Sequence, residues 1–256
     1  MNEEWQAPKG VIEIKHPPQS EAWRKERENG IGGSDMPDLI GGDDYSCLRK
    51  LWFSKTGAPV DYADKGSWRL ARGHAQEPIA RTLFVEKTGR KVSHGHGTFA
   101  IKDRPHIRAN VDGIIDDKMV IGRGLLEIKT LGVEKTYSGE LGSFDRVKKN
   151  GVPEKYIAQG QWGAGILELS HISFGIFSPE RHEILAIDMG FDPAYFGALT
   201  DRASSFWSTY ITGDKKLVGP ERLPDWIDGV QTACKYCPWR MTCKGINSSG
   251  KQTLAF

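Results

Sequence analysis

The chain has 256 residues, enough to bury one sizeable hydrophobic core within a single domain. Its charges nearly balance at a formal net charge of +2, so the total charge neither requires nor excludes a nucleic-acid partner. The absence of a run of about eighteen apolar residues predicts no membrane-spanning helix. Residues 1–20 are polar and contain Pro17 and Pro18, which predicts an N-terminal arm rather than a targeting segment.

A glycine-rich segment follows the arm and leads into a short predicted helix. Gly32 and Gly33 let backbone N–H groups approach an anion closely, and Ser34 is suited to cap the helix, whose N-terminus favours negative charge. Arg27 lies shortly upstream. Arg27 and Ser34 are therefore candidates for binding a phosphate. The alternative is a glycine loop with a cap of purely structural importance.

A long helix is predicted further along the chain, over residues 68–87. Gly89 is suited to the position that follows its last turn, where a left-handed backbone is common. The helix carries Glu77, which by itself has the character of an ordinary solvated helix carboxylate. A shorter helix over residues 47–55 precedes it.

Acidic residues on two neighbouring predicted strands give the most specific chemical pattern. Glu127 and Lys129 are two positions apart, so they share one face of a strand, while Ile128 points towards a core. If the strands pair as a hairpin, Asp112 meets Glu127. Two carboxylates with a lysine beside them suit metal-dependent phosphodiester cleavage, because oxygen ligands hold Mg²⁺ or Mn²⁺ and Lys129 lies next to the attacking water.

The remaining pattern predicts a mixed sheet flanked by helices. Pro153 is favourable in the first turn of a helix that carries Tyr156 and Gln159, and a hairpin follows it. The predicted helices cover residues 34–40, 47–55, 68–87, 153–169 and 193–211. The predicted strands cover residues 91–94, 106–116, 124–130, 171–177 and 183–188.

The four cysteines form an independent pattern. Cys234, Cys237 and Cys243 are spaced C-x₂-C-x₅-C near the C-terminus, and Cys47 lies far upstream. Four thiolates suit a 4Fe–4S cluster, and structural zinc is the alternative. Disulfides are less expected without a signal peptide. We expect the cluster to act as a staple that ties the C-terminal tail to the helix that begins at Cys47.

The Asp112, Glu127 and Lys129 pattern resembles the PD-(D/E)xK nuclease superfamily, with Val111 in place of the usual proline. The resemblance implies an α/β fold with a restriction-endonuclease-like core, in which helices flank a mixed central β-sheet. It also implies that Asp112, Glu127 and the Ile128 carbonyl bind Mg²⁺ or Mn²⁺, with Lys129 as a catalytic residue.

The helix motifs resemble the YqaJ-type viral recombinase and lambda-exonuclease-like nucleases. These families carry an Arg-Gly pair with a glutamate four residues after the glycine, and here Gly73 precedes Glu77 at that spacing. The resemblance implies that Glu77 is a third metal ligand. It implies that Gln159, from a Tyr-x-x-Gln pattern, orients the site or holds DNA, and that Arg27 and Ser34 bind a DNA 5′-phosphate.

The cysteine arrangement resembles that of iron–sulfur nucleases, such as the CRISPR-associated type, AddB and human exonuclease five. In the RecB-like and CRISPR-associated iron–sulfur branches a histidine often fills the position of the helix glutamate. His74 does not stand at that spacing, and it is kept as an alternative to Glu77. The sequence thus carries motifs of two branches of one superfamily.

Together these resemblances imply a metal-dependent exonuclease that cleaves linear DNA, resecting 5′ ends in phage-type recombination with a single-strand annealing protein as partner. The alternatives are a CRISPR-associated-type trimming nuclease and a non-catalytic module that binds DNA ends. The expected division is an arm over residues 1–20, a nuclease domain over 21–212, and a linker and cysteine tail over 213–256 that packs back on Cys47. A cytoplasmic location, in a bacterium or a phage-infected host cell, is expected.

Overall fold

The structure is a computed structural model that describes residues 5–17, 20–61, 67–93, 97–116, 122–134, 141–223 and 232–245, and for residues 67–70 the backbone only. The strands are β1 (Val11–Ile14), β2 (Val92–Ser93), β3 (Gly97–Ile101), β4 (Arg104–Val111), β5 (Gly113–Ile115), β6 (Gly124–Thr130), β7 (His171–Ser178) and β8 (Glu183–Gly190). The α-helices are α1 (Glu21–Glu26), α2 (Met36–Ile40), α3 (Leu48–Lys55), α4 (Ser67–Thr88), α5 (Ser143–Asn150), α6 (Glu154–Ile166), α7 (Pro193–Phe206), α8 (Thr232–Lys235) and α9 (Arg240–Lys244).

The strands form two sheets. One has three strands in the order β1-β3-β4, and the other has five in the order β2-β5-β6-β7-β8. Only the β6–β7 pair is parallel among the described strands. This mixed sheet with flanking helices confirms the predicted α/β class. None of the helices in the described ranges is long and apolar enough to cross a membrane.

The two faces of β6 pack into different hydrophobic clusters. Leu125 belongs to the main core with Trp162 of α6, whereas Leu126 and Ile128 pack with Phe84 of α4. Because side chains alternate along a strand, Glu127 and Lys129 lie on the same face as Leu125. The predicted bounds of this strand match the observed ones.

The strand predicted over residues 106–116 is wrong, because the structure has two strands there. Residues 106–116 divide into β4 and β5, which belong to different sheets, and Asp112 lies at the junction between them. The junction still permits the expected hairpin, since β5 pairs antiparallel with β6 through Gly113 opposite Leu126. The break at Asp112 therefore brings its carboxylate to the edge where the two sheets meet.

Two further segments differ from expectation. The predicted N-terminal arm contains β1, whose residues pair antiparallel with β3 from Val11 opposite Ile101 to Ile14 opposite Thr98. The predicted strand over residues 91–94 is seen as β2, with His94 outside the described residues. Of the predicted C-terminal tail, residues 224–231 and 246–256 also lie outside the described ranges.

Candidate active site

Asp112, Glu127 and Lys129 come together where β5 meets β6. The backbone N–H of Ile128 donates a hydrogen bond to Asp112 Oδ2 at 2.7 Å, so the Asp112 carboxylate is fixed against the neighbouring strand. Lys129 Nζ donates to Glu127 Oε1 from two residues away on the same face. The hairpin expected from the sequence therefore joins the two acids and the lysine.

The long helix α4 adds Glu77 to this group. Arg81, one turn later on α4, donates from Nη2 to Glu77 Oε1 at 2.9 Å and from Nε to the backbone oxygen of Asp112 at 3.1 Å. His74 Nδ1 lies 3.9 Å from the other Glu77 oxygen. Gly89 ends α4 with a φ of +68°, as predicted, and its N–H donates to the Val85 carbonyl.

Burial and crowding of negative charge govern the protonation of the two glutamates. Glu77 is 9% exposed and Glu127 is 1% exposed. Burial, together with the nearby Asp112 carboxylate, raises the pKa of Glu77 to about 7, although Arg81 opposes the shift. Burial also raises the pKa of Glu127 to about 7, against the opposing charge of Lys129 and with support from Asp112. Each carboxylate thus disfavours ionisation of its neighbours.

Lys129 responds to the same charges in the opposite sense. Burial by itself lowers the pKa of this ammonium, but the Glu127 and Asp112 carboxylates outweigh burial and raise it above its ordinary value. Lys129 is therefore a cation at neutral pH. Its Nζ also lies 5.3 Å from the centroid of the Tyr156 ring on α6, a cation–π distance.

Three carboxylates that repel one another chemically suit a divalent cation, because oxygen is the ligand that Mg²⁺ and Mn²⁺ prefer. In the arrangement described, Glu77 is engaged by Arg81 and Glu127 by Lys129. Within the described ranges, no group of three or more His, Cys, Asp or Glu side chains is arranged to hold a metal ion. The carboxylate oxygens are suitable metal ligands. Two of the three acids are, however, paired with cationic side chains, Glu77 with Arg81 and Glu127 with Lys129.

Helix α6 connects this group to the glycine-rich segment. A Cβ on Gly33 would lie 2.9 Å from Gln159 Cγ and 3.4 Å from the Gln159 backbone oxygen. Only a glycine at position 33, which has no Cβ, allows α6 and the glycine-rich segment to approach this closely. Tyr156, three residues earlier on the helix, faces Lys129. Tyr156 and Gln159 thus bridge the acidic residues and the segment that contains Arg27 and Ser34.

Arg27 and Ser34 contact each other directly. Arg27 Nη2 donates to Ser34 Oγ at 2.6 Å, and the guanidinium lies 4.9 Å from the Trp23 ring centroid. The predicted cap is wrong: the Ser34 hydroxyl contacts Arg27, and the Asp35 carboxylate accepts from the Gly32 N–H at 2.8 Å instead. The Ser34 hydroxyl is thus paired with Arg27 rather than with a helix end.

His74 lies within electrostatic reach of both parts of the site. Burial lowers the pKa of His74, Asp112 raises it, and Arg27 and Lys129 lower it again. Charges from both groups, Arg27 on one side and Asp112 and Lys129 on the other, therefore act on this one imidazole. An open cavity of about 300 Å³ adjoins Arg27 and includes Trp23 and Asn110 in its walls.

All four cysteines line one open cavity of about 380 Å³. None of the four, which all lie in the described ranges, forms a disulfide. Burial raises the pKa of Cys237 to about 11, with Cys47 adding to the shift. Burial also raises the pKa of Cys243, although a contact with Arg49 opposes this shift. The four thiols share this cavity but are not arranged to hold a metal ion within the described ranges, and the cluster expected there is not confirmed.

The tail that carries three of these cysteines packs against the segment after α3. The Trp239 ring stacks on Phe53 at 5.9 Å, and Trp239 Nε1 donates to the Ala58 carbonyl at 2.9 Å. The Asp61 carboxylate accepts from the Met241 N–H at 2.5 Å. These contacts hold α9 beside α3.

Two site-region residues were not recognised in these roles from the sequence. Arg81 lies four residues after Glu77 on a helix, a spacing that signals an ion pair. Lys55 gave no signal, since a lysine at the end of a helix is ordinarily exposed. Its side chain is only 2% exposed here.

Comparisons with known proteins give the family and the fold of this chain. The family model of the YqaJ-like viral recombinase domain matches residues 22–168, more than half of the chain. The uncharacterized protein YqaJ of Bacillus subtilis (strain 168) is 30% identical over 146 residues, which are 57% of this chain and 41% of that protein. The match therefore spans about two fifths of that relative's length.

Two solved structures share the fold. The crystal structure of LHK-Exo in complex with dAMP has a TM-score of 0.56 at 20% identity, and it aligns over 74% of this chain and 91% of its own. The alkaline exonuclease LHK-Exo from Laribacter hongkongensis has a TM-score of 0.55 at 22% identity with the same coverage. At these identities the likeness establishes the fold.

Proposed function

Because this chain belongs to the YqaJ-like viral recombinase family, we propose that it is a divalent-metal-dependent exonuclease that resects the 5′ ends of linear DNA in phage-type recombination. The convergence of Glu77, Asp112, Glu127 and Lys129 in one group, with both glutamates buried, carries this proposal. A single-strand annealing protein is the partner that such resection requires, since the strand that it exposes must be paired with another.

Asp112, Glu127 and Glu77, with the Ile128 carbonyl, are the groups that would hold one or two Mg²⁺ or Mn²⁺ ions. Burial, and secondarily the neighbouring carboxylates, raises the pKa of both glutamates, and these values support the assignment because a bound cation would favour the ionised carboxylates and offset their repulsion. A bound divalent ion supplies polarisation of the phosphate and a lowered pKa for the attacking water.

Lys129 is the group that acts on the reacting phosphate. Its ammonium is charged at neutral pH and is already held beside Glu127 by the strand geometry. In this position it orients the attacking water and offsets negative charge that develops on the phosphate in the transition state. Tyr156 restricts its movement from the α6 side, and Gln159 holds the glycine-rich segment against the same helix.

Arg27 and Ser34 are the proposed binding groups for the terminal 5′-phosphate. A guanidinium paired with a hydroxyl offers several donors to phosphate oxygens, and the backbone of the glycine-rich segment allows a close approach. Helix α6 supports their proximity to the acidic residues, because its Tyr156 faces Lys129 and its Gln159 packs against Gly33. End recognition and cleavage would then occur in one continuous site.

For the cysteines, we propose a 4Fe–4S cluster held by Cys47, Cys234, Cys237 and Cys243, with zinc as the alternative. The shared cavity and the sulfur donor set support a thiolate-ligated centre. Protein purified without oxygen would distinguish the two through its iron, acid-labile sulfide and zinc contents. Absence of all three from correctly folded protein would contradict the proposal.

The primary test is degradation of end-labelled linear duplex DNA with Mg²⁺ or Mn²⁺. We expect cleavage by the wild type, faster on 5′-phosphorylated than on 5′-hydroxyl ends. Lys129→Ala should abolish cleavage while DNA binding survives. The matched control is Lys148→Ala, because Lys148 is an exposed lysine that pairs with Glu183. Equal cleavage by Lys129→Ala would refute the assignment, and DNA binding without cleavage by the wild type would favour the non-catalytic end-binding module.

A further inference from the structure

Lys55 is a charged residue that the proposed chemistry leaves unused. It ends α3, and its side chain is only 2% exposed. Removal of an ammonium from water is costly unless partners replace the lost hydration. The burial of Lys55 therefore depends on the groups that surround its Nζ atom.

Those groups belong to the segment that contains Arg27 and Ser34. Lys55 Nζ donates to the Arg27 backbone oxygen at 2.8 Å and lies 2.6 Å from Asp35 Oδ2. The same Asp35 oxygen accepts the Gly32 N–H at 2.8 Å. One ammonium thus fixes the two ends of residues 27–35 at the same point.

This segment is anchored to β4 at its middle, where the Ile31 N–H donates to the His106 carbonyl and the Ile31 carbonyl accepts from the Arg108 N–H. Gly30, Gly32 and Gly33 flank that anchor and give the backbone more freedom than other residues allow, so the positions of Arg27 and Ser34 depend on a further tie at the two ends. The Arg27–Ser34 hydrogen bond of 2.6 Å joins only side-chain atoms. The Lys55 ammonium links the Arg27 carbonyl to the Asp35 carboxylate, and so holds the backbone at Arg27 close to the residue that follows Ser34.

The helix that supplies Lys55 is itself tied to the same part of the chain. Cys47 precedes α3, and its N–H donates to Asp38 Oδ1 at 2.8 Å. Lys50 of α3 pairs with the same Asp38 oxygen at 2.8 Å. Since α3 is bound to this region at both ends, Lys55 is presented from a fixed support.

We propose that Lys55 is a positioning residue for the recognition of 5′-phosphorylated DNA ends, an inference that rests on the proposed phosphate-binding role of Arg27 and Ser34. It acts through the Arg27 backbone and Asp35 and does not touch the phosphate itself. Its loss lets the two binding side chains separate, so the enzyme loses its preference for phosphorylated ends. The cleavage chemistry at Lys129 is retained.

The test compares Lys55→Met and Lys55→Arg with the wild type on 5′-phosphorylated and 5′-hydroxyl duplexes. Single-turnover rates are measured with Mg²⁺, and affinities are measured by fluorescence anisotropy with Ca²⁺. For Lys55→Met we expect the preference for phosphorylated ends to fall about tenfold, through affinity or KM rather than kcat. Lys55→Arg keeps the charge and should retain most of the preference. Lys87→Met is the control, because Lys87 also donates to a carbonyl, that of Ile184 at 2.5 Å, far from this segment.

Thermal melting accompanies each variant. If Lys55→Met does not fold, Asp35→Asn weakens the same tie from the other partner and should reduce the preference in the same direction. An unchanged preference in the folded variants overturns the role of Lys55 and leaves the role of Arg27 and Ser34 intact. A wild type that shows no preference in either cleavage or binding overturns both.

Discussion

The Arg81 guanidinium donates a hydrogen bond of 2.9 Å to a Glu77 carboxylate oxygen, one turn earlier on α4. A second hydrogen bond, 3.1 Å from Nε to the Asp112 backbone oxygen, joins the helix to the junction between the two sheets. Arg81 therefore both offsets the charge of one acid and fixes the backbone of another.

Replacement of Arg81 by Met should lower DNA cleavage at pH 7 by about tenfold or more. Arg81 holds the pKa of Glu77 down against burial, so its loss raises that pKa further above about 7 and leaves more of the carboxyl protonated. Cleavage rates measured from pH 6 to 9 should show partial recovery at the alkaline end. Arg81→Lys, which keeps the charge, should lose less, and equal rates for all three proteins would contradict the role.

The raised pKa values predict that the metal-free protein loses stability as the pH rises. In the unfolded chain a glutamate ionises near its ordinary pKa of about 4.5, whereas Glu77 and Glu127 hold their protons to about 7 in the fold. The contribution of the two protonated glutamates to the free energy of unfolding is thus fully present below pH 4.5, and it is lost as the pH rises through about 7.

Melting temperatures measured in EDTA between pH 5 and 8 test this dependence. Glu77→Gln should show a shallower decline than the wild type, because its amide does not ionise and no longer repels Asp112. Added Mg²⁺ should restore stability chiefly at the alkaline end. A slope that is identical in wild type and variant would show that Glu77 does not contribute.

The local part of the site was predictable from the sequence. Alternation along a strand placed Glu127 and Lys129 on one face, and the motif spacing included Glu77 in the acidic group. The position of Asp112 between two sheets was not predictable, because Val111 and Gly113 continue the apolar pattern of one strand. The sheet that each half joins is decided by its pairing partner, β3 for β4 and β6 for β5.

Side-chain partners from distant parts of the chain were also beyond the sequence pattern. Ser34 fits a helix cap by local preference, yet the Arg27 guanidinium, seven residues earlier, takes its hydroxyl. Lys55 at a helix end is ordinarily solvated, but the Arg27 carbonyl and Asp35 enclose it. In both cases the observed partner differs from the one that the local sequence favours.

Gly33→Ala should impair cleavage of 5′-phosphorylated ends. The added Cβ would lie 2.9 Å from Gln159 Cγ, so either α6 or the glycine-rich segment must shift. Overpacking of this kind costs about 1–3 kcal/mol in the free energy of unfolding. Gly32→Ala is the matched control, because its Cβ would find nothing closer than Asp35 Oδ2 at 3.7 Å.

Urea unfolding and single-turnover cleavage measure the two effects of Gly33→Ala separately. The rate on phosphorylated ends should fall in Gly33→Ala and hold in Gly32→Ala. If both variants cleave at the wild-type rate, the approach of Gln159 to the glycine-rich segment has no importance for the site.

Cys243→Ala should damage folding more than cleavage chemistry. Cys243 lies on α9, which the Trp239–Phe53 stack and the Asp61 hydrogen bonds hold near α3. Loss of a thiolate from the shared cavity removes the centre that would add to those contacts, while the Glu127 and Lys129 pair is left untouched. We expect a lower melting temperature, but an unchanged single-turnover rate per folded molecule.

Trp239→Ala provides a comparison, since it weakens the packing of the tail and leaves all four thiols in place. A soluble Cys243→Ala protein with the wild-type melting temperature would contradict the view that the cysteines act as a staple.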